Sequence, residues 1–204
     1  MLDLGAQSIR IDLEMPSSHP HIVESQAPGA WPSRQWLWPD EVATEAFARR
    51  LAAGLQDWPG GRDACIELQG DLGAGKTTLV RHLLRAAGVQ GRIKSPTYAV
   101  VEPHQATCAA GPWPVWHFDF YRFNDPQEWE DAGFRDLFAG PGLKLVEWPD
   151  KVAGQLPAPD WRIGLVALDE HRRQARVTAC TPRGAQWLAS WPTEEAQDRH
   201  GPSA

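Results

Sequence analysis

From Asp40 onward, apolar residues recur at helical spacing. Val42, Ala46, Phe47, Leu51 and Leu55 fall on one side of a helix that Asp40 can cap. Upstream, Trp36 to Trp38 reads as a short strand ended by Pro39, and downstream Gly60 and Gly61 mark a turn. Ala64 to Leu68 is a short, mostly apolar strand that runs straight into a glycine-rich segment. A second amphipathic helix follows, with Leu79, Leu83, Leu84 and Ala87 on one side and Gly88 placed to end it. An extended piece is expected at Tyr98 to Val101, a Pro/Gly-rich loop around Gly111 to Pro114, and a strand from Val115 to Phe118. Pro126 to about Phe138 reads as helical and Leu143 to Val146 as another apolar strand. After Pro159 the pattern changes: Trp161 to Leu168 and Gln174 to Thr181 form a hairpin-like pair around Asp169 to Arg173.

The alternation of strands and helices predicts a three-layer α/β core with a mostly parallel central sheet and a C-terminal β-hairpin. It occupies residues 34–191. Residues 1–33 read as a flexible N-terminal extension rich in proline, in which only Ile9, Ile11 and Leu13 alternate as an edge strand would. Residues 192–204 read as a flexible, polar tail.

The segment between the first core strand and the second helix is Gly70-Asp71-Leu72-Gly73-Ala74-Gly75-Lys76-Thr77, a full match to G-x-x-x-x-G-K-[ST]. Its glycines let the backbone bend tightly and turn N–H groups onto a phosphate, Lys76 places a charge between the β- and γ-phosphates, and the Thr77 hydroxyl suits magnesium. Thr78 continues the loop into the helix, whose N-terminus adds partial positive charge. A strand before and a helix after are the context the motif requires, so the fold class sharpens to a P-loop NTPase with ATP and Mg as cofactors.

Hydrolysis needs more than a phosphate loop. Asp119 ends the strand Val115-Trp116-His117-Phe118, where a parallel-sheet site expects a carboxylate. Glu147 follows the strand Leu143 to Val146 and reaches the same edge; as bare sequence it reads equally well as a surface Glu beside Trp148. Ser95-Pro96-Thr97-Tyr98 lies where small NTPases carry a hydroxyl that senses the γ-phosphate, and Thr97 is the choice, although alone the tripeptide is an ordinary turn signal. Lys76, Glu147, Thr97 and Asp119 are therefore the catalytic candidates, and Thr77, Asp119 and Glu147 the metal candidates. By period-two spacing His117 shares its side of the strand with Asp119 and can hold neighbours by hydrogen bonds, while Arg122 reads best as a surface salt-bridge partner.

Composition constrains partners. The formal net charge of −6 disfavours a direct grip on nucleic-acid phosphates, which depends largely on Lys and Arg. Three scattered cysteines without a CxxC pair predict reduced thiols in a cytoplasmic protein. No apolar run approaches the roughly 20 residues of a membrane helix, and the N-terminus has no signal-like pattern. Eleven tryptophans are many for this length; most are expected to fill the core.

Four blocks in order, Gly70 to Thr78, Ser95 to Tyr98, His117-Phe118-Asp119-Phe120-Tyr121-Arg122 and Val146-Glu147-Trp148-Pro149, resemble the TsaE (YjeE) family over about residues 36–190. The resemblance implies an ATPase that supports threonylcarbamoylation of adenosine 37 of tRNA, working with TsaB and TsaD and meeting tRNA only indirectly. It implies Thr77 and Glu147 at the metal with Asp119 supporting it, and Trp148 beside the nucleotide or a partner. It also implies that Asp40 to Thr44, with Arg172 or Arg173, flank the adenine. Two other functions fit a phosphate loop: a small-molecule kinase, for which Arg135 alone in 126–138 is a thin basis for a lid, and a nucleotide-gated binding module without turnover.

Overall fold

Asp40 starts the first helix. Its carboxylate accepts the N–H of Ala43 at 2.9 Å, and α1 then runs Glu41–Asp57. A computed structural model describes residues 31–109, 111–123, 128, 129 and 132–192. The buried stripe of α1 is Thr44, Phe47, Ala48, Leu51, Ala52 and Leu55, an i, i+3, i+4, i+7 series counted from Thr44. Val42 and Ala46, expected on that stripe, are exposed. Before α1 lies β1, Ser33–Trp38, so the expected boundary after residue 33 falls inside a strand.

The remaining elements are β2 Cys65–Gln69, α2 Lys76–Ala86, β3 Val101–Cys108, β4 Gly111–Asp119, α3 Phe134–Ala139, β5 Leu143–Glu147, β6 Trp161–Ala167, β7 Arg173–Ala179 and α4 Pro182–Ser190. They build one seven-stranded sheet in the order β1-β7-β6-β2-β5-β4-β3. The four central strands, β6-β2-β5-β4, run parallel, β3 on one side and β7 on the other run against them, and β1 pairs antiparallel with β7. The expected parallel centre and C-terminal hairpin (β6–β7) are both present. At the end of α2 the N–H groups of Gly88 and Val89 donate to the carbonyls of Arg85 and Leu84, and Gly88 takes φ 84°, a left-handed stop only glycine adopts freely.

Two cores form on the two sheet faces, because strand side chains alternate. Ile66, Leu68, Leu143, Leu145, Ile163 and Val177 face the larger core with α1, α2 and α4. Cys65, Phe118 and Val146 face a smaller aromatic one with Phe120, Phe123, Trp129 and Phe134. Many tryptophans do fill the core: Trp58 stacks on Trp187, and Trp161 and Trp191 pack around them.

Three expectations need correction. The loop expected at Gly111 to Pro114 is the start of β4, paired with β3 from Cys108↔Gly111 to Gln105↔Pro114. Its prolines are tolerated because β5 pairs only with Val115 onward, leaving that edge of β4 without a ladder to interrupt. Tyr98 lies in a turn, and the strand begins at Val101. The helix expected over 126–138 is interrupted: Gly133 is left-handed at φ 66° and α3 starts after it, while residues 124–127, 130 and 131 lie outside the described residues. The extension through Ala30, with its expected edge strand, and the tail from 193 also lie outside them. Helix α4 was not expected; Thr181 caps it and Pro182 opens it. Among the described residues no helix is long and apolar enough to cross a membrane.

Asp160 ties three elements together. Its buried carboxylate accepts from Cys65 N (3.1 Å), Thr181 Oγ1 (2.8 Å), and Arg183 Nε (3.0 Å) and Nη2 (2.6 Å). Asp160→Ala strands the buried Cys65 N–H and is expected to lower stability by about 3 kcal/mol. Arg183→Ala, which removes a half-exposed cation, is expected to cost only about 1 kcal/mol. Urea unfolding of the two variants tests this; equal losses would show that Asp160 acts only through Arg183.

Candidate functional site

Parallel register brings the site together. Glu147, last in β5, lies opposite Leu68 of β2 and Asp119 of β4. The chain leaving β2 turns through residues 70–75 into α2, so the glycine loop and both carboxylates share one sheet edge.

The loop needs its glycines. Gly70, Gly73 and Gly75 have φ of 139°, 81° and 105°, and a Cβ on Gly70 would lie 2.3 Å from the carbonyl oxygen of Leu165. The first N–H groups of α2 have no carbonyl to bond within the helix, so this end of α2 suits an anion. Lys76, 4% exposed, reaches back under the loop. Its Nζ donates to the carbonyls of Gly70 (2.6 Å) and Asp71 (2.8 Å) and lies 3.8 Å from the centre of a Trp148 ring. Burial lowers its pKa, while Glu147, Asp119 and Asp71 pull in the opposite direction.

Two carboxylates sit opposite the loop. Glu147 is 2% exposed; its Oε2 accepts from Thr77 Oγ1 at 2.9 Å and its Oε1 is 2.9 Å from His117 Nε2. Asp119 is bound differently. Its Oδ2 accepts from the hydroxyls of Ser95 and Thr97 (2.8 Å for Thr97), and its Oδ1 from the N–H of Tyr121 at 3.0 Å. Asp119 therefore anchors the 95–97 segment, while Glu147 is wired to the phosphate-loop helix. Between them opens a cleft of about 320 Å³ lined by Lys76, Thr77, Thr97, Asp119, Glu147 and Trp148, with Leu72 and Tyr121 at its rim. A second recess of about 150 Å³, bounded by Asp40, Thr44, His171 and Arg173, shares Gly75 and Thr78 with it.

Backbone strain gathers here. Among the described residues only two non-glycines have positive φ, Val100 (66°) and Trp148 (59°). Val100 closes the turn that follows Ser95 to Thr97, with its N–H on the Pro96 carbonyl at 2.6 Å and its carbonyl accepting from Asp119 N at 2.9 Å. Trp148 lays its ring between Lys76 and Tyr121, whose ring centre is 5.0 Å away.

Most of the expected site residues converge. Gly70 to Thr78, Thr97, Asp119, Glu147 and Trp148 surround the two cavities or form the loop between them. Arg172 does not join them: its Nε is held by Asp169 Oδ2 at 2.6 Å, inside a turn that also ties Arg172 N to Asp169 Oδ1. Arg173 lines the recess in its place, within reach of Gly75. Arg122 sits over the Tyr98 ring at 4.5 Å. Ser95 was missed; its hydroxyl two residues before Thr97 was the available signal. Hydroxyl and carboxylate oxygens facing an ammonium and a helix N-terminus have the chemistry to hold a polyanion with a hard cation. Among the described residues no three His, Cys, Asp or Glu side chains converge into a metal cage.

Similarity to known proteins points to a family. The family model described as "Threonylcarbamoyl adenosine biosynthesis protein TsaE" matches residues 38–175. A tRNA threonylcarbamoyladenosine biosynthesis protein TsaE from Haemophilus influenzae is 40% identical over 134 residues, covering 66% of this chain and 82% of that protein. Its Bacillus subtilis namesake is 32% identical over 145 residues, 71% of this chain and 85% of that protein. A solved structure described as "Crystal structure of Bacillus subtilus YdiB" superposes with a TM-score of 0.60 at 25% identity, covering 77% of this chain and 92% of that one. With a family match over more than half its length, this chain belongs to the TsaE family of threonylcarbamoyl adenosine biosynthesis proteins.

Proposed function

We propose that this protein is a magnesium-dependent ATPase that acts with the proteins TsaB and TsaD in making threonylcarbamoyladenosine in tRNA, in the cytoplasm. One observation carries the reading: Thr77 and Glu147 are hydrogen-bonded to each other at the rim of a glycine loop that holds Lys76 beneath it. The residues fit the group. Gly73 and Gly75 line the cleft at φ of 81° and 105°, which side-chain-bearing residues resist, and the oxygen donors across the cleft suit magnesium.

Each residue then has a role. The loop N–H groups and Lys76 hold the phosphates, with Lys76 leaving the Gly70 and Asp71 carbonyls to compensate charge on the γ-phosphate. Thr77 Oγ1 and Glu147 would hold the ion, Glu147 would orient a water, and Asp119 would support them while keeping Thr97 at the cleft. The ion itself would supply Lewis-acid charge at the phosphate oxygens. The recess at Asp40, Thr44 and Arg173 takes the base. The acidic net charge favours contact with tRNA through protein partners.

The test is phosphate release from ATP with magnesium, alone and with TsaB and TsaD, with no acceptor added. Slow release alone that rises with the partners supports the proposal. Measurable ATP binding with no release in any mixture would favour a nucleotide-gated binding module, and release that needs an added acceptor would indicate a kinase.

Two variants sharpen it. Lys76→Ala is expected to weaken ATP binding and reduce turnover at least about 100-fold, because charge on the γ-phosphate is left uncompensated. Turnover at the parent rate would remove Lys76 from the mechanism. Glu147→Ala is expected to keep nucleotide binding in the absence of magnesium within about threefold while turnover falls about 100-fold. A Glu147→Ala protein as active as its parent would make Glu147 structural.

A further inference from the structure

His117 is completely buried and lies two residues before Asp119 on β4, yet its imidazole is committed to the other carboxylate. In the β4–β5 register His117 lies opposite Leu145 and Asp119 opposite Glu147, so the ring reaches diagonally across the pair. Nε2 stands 2.9 Å from Glu147 Oε1, and a carboxylate oxygen can only accept, so Nε2 carries the hydrogen. Nδ1, on the other side of the ring, is buried without a hydrogen-bond partner among the described residues. The imidazole therefore has one polar contact, and that contact fixes Glu147.

Glu147 has two oxygens and two neighbours in this plane. Thr77 occupies Oε2 and His117 occupies Oε1. Without His117, Oε1 would be a buried acceptor with nothing to bond, and the carboxyl could lower its energy by rotating away from Thr77. We infer that His117 is a positioning residue whose Nε2–H holds Glu147 so that Oε2 faces Thr77 and the cleft. The inference rests on the proposed magnesium–nucleotide site and names a further residue that shapes it. His117 touches neither phosphate nor ion in this reading; it acts through Glu147.

Groups that orient a metal ligand from behind are typically worth about 10- to 100-fold in metal affinity. The signature is therefore in the coupling between magnesium and nucleotide. ADP affinity is measured by calorimetry on the full chain in excess EDTA and again in saturating magnesium, and the ratio of the two is the coupling. Two variants differ only in reach: His117→Gln places an amide N–H near the position of Nε2, whereas His117→Asn keeps the amide and falls short. His117→Asn is expected to cut the coupling at least about tenfold while leaving the EDTA affinity within about threefold, and His117→Gln to restore most of the loss. Equal weakening in both media would mean that His117 only supports the fold, and the inference fails. Asn and Gln variants that behave alike, or that both keep the parent coupling, would overturn it too. A parent protein with no coupling at all sinks the magnesium site, and this inference with it, which separates that failure from the others.

Discussion

The parallel register of β2, β5 and β4 is the constraint on which the site depends. Because Leu68, Glu147 and Asp119 are lateral neighbours, the glycine loop leaving β2 and both carboxylates emerge at one edge. A slip of one residue along β5 would turn Glu147 to the opposite face and break its bonds to Thr77 and His117 together. Burial on both faces guards against that slip: Leu143 and Leu145 are fully buried in the larger core and Val146 in the aromatic one. The hydrophobic core thus fixes a polar geometry, and the hydrogen bond between α2 and β5 is its direct product.

That geometry divides the two carboxylates by what they hold. Glu147 is joined to the loop helix, so it moves only if α2 or β5 moves. Asp119 is joined to Ser95, Thr97 and the Tyr121 N–H, all on connecting segments. Loops respond to ligands more readily than packed strands. Asp119 therefore ties the cleft to the segment 95–100, and Val100, a β-branched residue held left-handed, lies at the end of that segment.

The sequence was most readable where chemistry demands residue types at fixed spacing. The loop from Gly70 to Thr77 needs positive φ at its glycines and a lysine at one place, and each demand is visible as a residue. It was least readable where tertiary pairing overrides local preference. Pro112 and Pro114 look like loop residues, yet an unpaired strand edge accepts them. The stripe of α1 was shifted because Thr44 and two alanines are buried where the larger Val42 is not; helix geometry selected the face, and size did not. Arg172 and Arg173 are indistinguishable in sequence, and the Asp169 turn decides between them by capturing the first. His117 carried a clue in its two-residue offset from Asp119, but its bond crosses to β5, which no local pattern shows.

Trp148 shows how strain, charge and packing combine at this edge. A bulky residue in the left-handed region costs about 1–2 kcal/mol, and the following proline would favour an extended conformation. What the strained turn accomplishes is visible in the ring, which lies over the Lys76 ammonium and against Tyr121. Lys76 has three N–H groups; two find carbonyls in the loop, and the ring face meets the remaining positive charge. A lysine fully satisfied by its own loop keeps the loop folded around it, and the ring that covers it also walls the cleft. Strain at Trp148 thus serves to cover a buried cation on the side that the loop carbonyls leave open.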